Sequence, residues 1–191
     1  ETRLAFGATN SQSAHYAYFA SLAKIVNTAY PETYQASVVE TGATVDNLKR
    51  MARDQLDIGL ITTSTLYHAY NGVKSFDGRP VESKLLWAYS LAPQNVVVRR
   101  DSGIKTMEDL KGKRVMGDMP TNVALTRLNR AMLRSGGLSS DDVDFTKSGG
   151  LIDGIKAVVD GRADAAPVAT TMPQLIEANS SVDGGIAIVA N

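Results

Sequence analysis

Side chains that can hydrogen-bond a small polar solute are gathered into a few short loops of this 191-residue chain. Thr41-Gly42-Ala43-Thr44 with Asn47 forms one cluster, and Thr62-Thr63-Ser64-Thr65 a second. Asn10, Ser11 and Ser13 lead into His15 and Tyr16, Pro120 precedes Thr121 and Asn122, and Thr170 and Thr171 form the last group. Hydroxyls and amides donate and accept without titrating, and a helix that starts beside them adds unpaired N–H groups that favour an anion. The chemistry on offer is therefore capture of a small, oxygen-rich molecule. Taken singly, Thr44 and Ser64 are explained equally well by capping and turn formation, so the reading depends on the loops converging. The candidate ligand-binding residues are Asn10, Ser11, Ser13, His15, Tyr16, Thr44, Asn47, Thr63, Ser64, Pro120, Thr121, Asn122, Thr170 and Thr171.

Catalysis finds less support. The chain has no cysteine, which removes thiol nucleophiles, disulfides and thiolate metal sites. No GxSxG, HExxH, P-loop or strand-linked GxGxxG occurs. Asp141, Asp142 and Asp144 lack the glycine and distal glutamate of a calcium loop. No catalytic residue, metal or cofactor is expected. Lys plus Arg equals Asp plus Glu at 20 each, so no global field draws in nucleic acid. Arg127, Arg130 and Arg134 recur at helical spacing and read as a solvated face. No apolar run reaches the roughly eighteen residues that a membrane helix needs.

The elements that would position the loops follow a βα grammar. Residues 2–6 make a strand and 14–29 a helix, with Tyr16, Phe19, Ala23 and Val26 on its apolar side. Residues 36–39 are a second strand, 45–52 a helix with Thr44 as its N-cap, and 56–61 a third strand. The apolar segment 84–90, with the single tryptophan Trp87, reads as another strand of the first lobe. Pro93 marks a crossing into a second lobe that begins with the strand 95–100 and a short helix capped by Thr106. A strand from Arg114, a helix over 123–133, a strand over 141–145, a helix over 151–159, and a helix stop with a buried strand over 161–168 continue it. The helix 174–179 and strand 186–189 are expected to return to the first lobe. The expected divisions are 1–90 for lobe 1, 91–168 for lobe 2 and 169–191 for the return segment.

Thr41-Gly42-Ala43-Thr44-Val45-Asp46-Asn47-Leu48, then Leu56-Asp57-Ile58-Gly59-Leu60-Ile61 and Tyr67-His68-Ala69-Tyr70-Asn71-Gly72, together resemble the TAXI family of extracytoplasmic solute receptors that serve TRAP transporters. The stretches 101–115 and Asp160-Gly161-Arg162-Ala163-Asp164-Ala165-Ala166 resemble segments common to type II periplasmic receptors. There are departures. The family's Gly-Gly-Thr-Tyr-Tyr before the first helix is replaced, with Ser13, Ala14, His15 and Tyr16 at its last four positions. Its Pro-Gly-Ser-Gly-Thr is kept only as Pro120. Two glycines that would let backbone amides approach a carboxylate are thereby absent.

The resemblance implies an α/β, two-lobed type II periplasmic-binding-protein fold with doubly wound sheets and two interlobe crossings, short at its C-terminal end. It implies a monomeric periplasmic receptor, made after removal of a leader. Such a receptor captures a small carboxylate such as glutamate or 2-oxoglutarate in an interlobe cleft and delivers it to TRAP transporter membrane subunits. A ligand-sensing module of a regulator or sensor kinase, and a transferase on the same fold, are the alternatives.

Overall fold

The computed structural model describes residues 1–91 and 93–190. Its chain divides into two compact units, residues 1–87 and 88–191.

In the first unit a three-stranded sheet runs in the order β2-β1-β3, with every pairing parallel. Its strands are β1 (Thr2–Gly7), β2 (Tyr34–Val39) and the two-residue β3 (Ile58–Gly59). Helix α1 (Ala14–Ala29) forms as its periodicity requires, burying Phe19 and Ala23 against Phe6 and Ala36. Its end is tied down by Asn27, which accepts from the Ala36 N–H at 2.6 Å and donates to the Ala36 carbonyl at 2.9 Å. Helices α2 (Thr44–Met51) and α3 (Thr63–Tyr70) build a separate core from Val45, Leu48 and Ala69 with Phe76 and Val81.

In the second unit a five-stranded sheet has the order β6-β5-β7-β4-β8. Strands β5 (Arg114–Asp118), β6 (Asp144–Lys147) and β7 (Ala165–Ala169) are parallel. Between β7 and β8 (Ile186–Ile188), β4 (Gln94–Arg99) runs antiparallel to both. Both faces are covered, and for that reason the middle of β4 is continuously apolar. Val96 and Val98 enter one core with Leu110, Val115 and Leu133, and Val97 enters the other with Ile155, Val158 and Ala178. Helix α4 (Val123–Ser135) supplies the first of these layers, and α5 (Leu151–Val159) and α6 (Gln174–Ser181) the second. Gly117 is required where β6 crosses it, because a Cβ there would collide with the Phe145 ring.

Four expectations need correction. Residues 84–90 form no strand: the segment joins no β-ladder among the described residues, and Leu85 and Leu86 stay exposed. β-propensity makes no ladder where no neighbouring strand offers its backbone. The return of 169–191 to the first unit does not occur, since β8 hydrogen-bonds β4 and α6 packs on the core containing Ile155. Thr44 is not an N-cap: Ala43 holds that place at φ 60° and ψ −158°, and Thr44 is the first helical residue. Thr106 caps no α-helix; residues 108–110 make one 3₁₀ turn, where the Asp109 carboxylate accepts from the N–H groups of Lys105 and Thr106 and from the Thr106 hydroxyl. The expected first crossing includes Ala92, which lies outside the described residues.

Candidate functional site

In the first unit the loops after β1, β2 and β3 all leave the carboxyl edge of a parallel sheet, where ligands of open α/β sheets are held. One side chain holds these loop ends together. Asn47, fully buried on α2, donates from Nδ2 to the carbonyls of Gly7 at 3.2 Å, Ala8 at 2.9 Å and Leu60 at 2.9 Å. Thr41 Oγ1 donates to Asn47 Oδ1 at 2.6 Å and to the Ala8 carbonyl at 3.0 Å, and it accepts from the Ala43 N–H. Asn47 thus builds the mouth from behind, and its expected contact with a ligand is excluded by burial and full use of both polar atoms. Gly7 makes room for it: a Cβ there would meet Leu56 and lie 2.7 Å from Asn47 Oδ1.

A line of hydroxyls crosses this mouth. Thr62 Oγ1 donates to Thr65 Oγ1 at 2.9 Å, and Thr65 Oγ1 donates to Thr44 Oγ1 at 3.4 Å, linking the starts of α3 and α2. Thr44 and Thr65 are buried, while Thr63 and Ser64 are exposed at the first turn of α3. Asp46 at the start of α2 accepts from the Gly42 N–H and from Arg50, so its carboxylate is held locally.

The loop after β1 is more self-contained than expected. Asn10 Oδ1 accepts from the Gln12 N–H at 3.0 Å, and Ser13 Oγ caps α1 by accepting from the Tyr16 N–H at 3.0 Å. Tyr16 packs on the core around Phe19, and Ser11 is exposed. His15 is half-buried, and the loss of water pushes its imidazolium form below the ordinary histidine range.

In the second unit Pro120, Thr121 and Asn122 follow β5, and Thr170 and Thr171 follow its parallel neighbour β7, so both groups lie at one sheet edge. Asn122 caps α4, its Oδ1 accepting from the Leu125 N–H at 3.3 Å. Thr170 donates from its N–H and its hydroxyl to the Pro93 carbonyl. Pro120, Thr121 and Thr171 are exposed. Behind them Thr126 Oγ1 accepts from the Met119 N–H at 2.8 Å and donates to the Met119 carbonyl at 3.1 Å. Asn129 Nδ2 donates to the Gly117 carbonyl at 2.7 Å.

Sequence reasoning did not select Thr41, Thr62 or Thr65, although all three lie in the loops it chose, nor did it show that Asp118 and Lys147 end the paired strands β5 and β6. A strand end gives no local signal until the register is known.

A cavity of about 330 Å³ in the second unit is lined by Arg99, Asp101, Ser102, Lys113, Arg114 and Asp164, among others. It lies at the other end of β5 from the loops. Its charges largely satisfy each other: Arg114 forks onto Asp164 at 2.7 and 3.1 Å and donates to the carbonyls of Gly161 and Arg162. That bond to Arg114 holds the Asp164 carboxyl below the ordinary aspartate range. This is a structural latch.

Two α/β units, each with its loops at the carboxyl edge of parallel strands, define the class as the type II periplasmic-binding-protein fold. The chain belongs to the NMT1-like family, whose model matches residues 6–182. It is similar to the alkanesulfonate-binding protein SsuA from Xanthomonas axonopodis pv. citri bound to MOPS. That match has 20% identity and a TM-score of 0.62, and covers 100% of this chain and 61% of that one. A binding protein component of an ABC phosphonate transporter from Pseudomonas aeruginosa matches at 13% identity and a TM-score of 0.70, over 100% of this chain and 65% of that one. An ancestral arginine-binding protein bound to glutamine matches at 17% identity and 0.63, over 100% and 79%. The chain spans 61% and 56% of the two SsuA structures, from Xanthomonas and Escherichia coli, that it matches. Among the described residues no helix is long and apolar enough to cross a membrane, and no group of three or more His, Cys, Asp or Glu is placed to hold a metal ion.

Proposed function

We propose that this chain is an extracytoplasmic solute receptor of the TAXI type, monomeric and periplasmic. In this reading it binds a small carboxylate, an amino acid or a dicarboxylate, and delivers it to TRAP-type membrane subunits. The observation that carries the reading is the Asn47 clamp. It spends a buried amide on three loop carbonyls and so lines up the hydroxyls of Thr62, Thr65 and Thr44 beside two helix starts. Thr62 and Thr65 donate within this line, so the donors it presents to an anion are the Thr44 hydroxyl and the N–H groups at the starts of α2 and α3, held in place before binding.

The similar structures support an anionic group on the ligand. Three of those proteins are bound to MOPS, methylphosphonate and glutamine, each of which carries one. The carboxylate class and the TRAP partner rest on the residues quoted for the family resemblance. Native mass spectrometry of the protein as purified tests the proposal. A co-purified acid of small mass, released by denaturation, is expected; a spectrum of bare protein that stays unchanged on adding glutamate or 2-oxoglutarate contradicts it.

A further inference from the structure

We infer that the ligand is a zwitterion, bearing an ammonium as well as an acid group, and that Asp118 and Lys147 read those two charges. The inference rests on the receptor reading above and narrows it. Asp118 is the last residue of β5 and Lys147 the last of β6, and the two are register partners across the parallel pair. Neighbouring strands are about 4.8 Å apart, so an acidic and a basic residue sit on adjacent backbones at the mouth of the second unit. Neither belongs to an ion pair among the described residues.

The other end of β5 provides the contrast. There Arg114, the first residue of β5, and Asp164, just before β7, are locked at 2.7 Å. Opposite charges at one edge satisfy each other, while at the ligand edge they are left open. Their backbone is nevertheless firmly placed. The Ser148 N–H donates to the Asp118 carbonyl at 2.7 Å, and Thr126 and Asn129 hold the residues on either side of Asp118. Asp118 is half-buried and belongs to no ion pair among the described residues, and a ligand ammonium would supply its carboxylate with a counter-ion. A dicarboxylate would satisfy Lys147 but set its second acid against Asp118, whereas an α-amino acid satisfies both.

Calorimetric titration tests this. The wild-type protein is titrated with each of the common L-α-amino acids and, in parallel, with glutarate and methanesulfonate, which carry acid without amine. An amino acid is expected to bind. Asp118→Asn should weaken it by about tenfold or more, the size expected for one charge-assisted hydrogen bond, and should leave glutarate unchanged or improved. Lys147→Met should weaken every anion. If the wild type takes glutarate or methanesulfonate but no amino acid, the receptor reading stands and the zwitterion inference is overturned. It is overturned too if Asp118→Asn binds the amino acid as tightly as the wild type does. If none of the compounds binds, both readings fall. Wild-type selectivity alone decides the question should either variant fail to fold.

Discussion

Thr41 Oγ1 and Asn47 Oδ1 lie 2.6 Å apart, and this bond joins the loop after β2 to a buried amide that also holds the loops after β1 and β3. Removing the amide leaves the Leu60 carbonyl without its donor and takes one of two donors from each of the Gly7 and Ala8 carbonyls, in a dry site. Asn47→Ala should therefore destabilise the protein by about 3 kcal/mol, measured by urea unfolding, because each unsatisfied buried group costs on the order of 1–3 kcal/mol. Asn47→Asp should be no milder, since it replaces the donor with an acceptor that faces carbonyl oxygens.

Ala43 lies at φ 60° and ψ −158°, a region that residues other than glycine avoid. Its methyl is buried, which is worth about 0.8 kcal/mol, against strain of roughly 1–3 kcal/mol. Ala43→Gly should raise stability by about 1 kcal/mol despite the lost methyl. An equal or lower midpoint in denaturant would show that burial outweighs strain here.

Asp164 is held below the ordinary aspartate range first by the hydrogen bond from Arg114, and Asp109 and Asp142 first by backbone N–H groups of Thr106 and Ser139. In each case the unfolded chain takes up its proton at a higher pH than the native protein. The stabilisation is thus complete above about pH 4, the ordinary aspartate value, and is lost as pH falls through the lower native values. Asp164→Asn should flatten the acid limb of a stability profile and leave its slope near neutrality unchanged. His15, pushed down by burial, works in the same direction at higher pH: stability should fall as pH drops below about 6.5, and His15→Gln should remove that step.

The helices α1 and α5 are legible in the sequence over 14–29 and 151–159 because their apolar residues recur at helical spacing and their ends carry Ser13 and glycine signals. The strands were legible as apolar runs, but their partners were not. Nothing local to 186–188 says that it pairs with β4, and nothing local to 84–90 says that no strand receives it. The site was legible as a set of loops and less so as a set of atoms. Thr44, expected to cap its helix, instead ends a line of hydroxyls, while Thr62 caps α3. Asn47 looks like any polar helix residue until three carbonyls from distant parts of the chain are brought around it. Lys147 and Asp118 were invisible because a bulge between β5 and β6 sets their register.

Thr63 and Ser64 are exposed at the start of α3, so their hydroxyls can be removed without disturbing the core. Calorimetric affinity of the Thr63→Val/Ser64→Ala variant for whichever small carboxylate the wild type binds tests the mouth most directly. Binding weakened by about tenfold or more, with the thermal midpoint unchanged, is the outcome required if these groups touch the solute. Identical affinity in variant and wild type, or no heat from the wild type with any carboxylate, would contradict the claim that this sheet edge is where the protein holds its ligand.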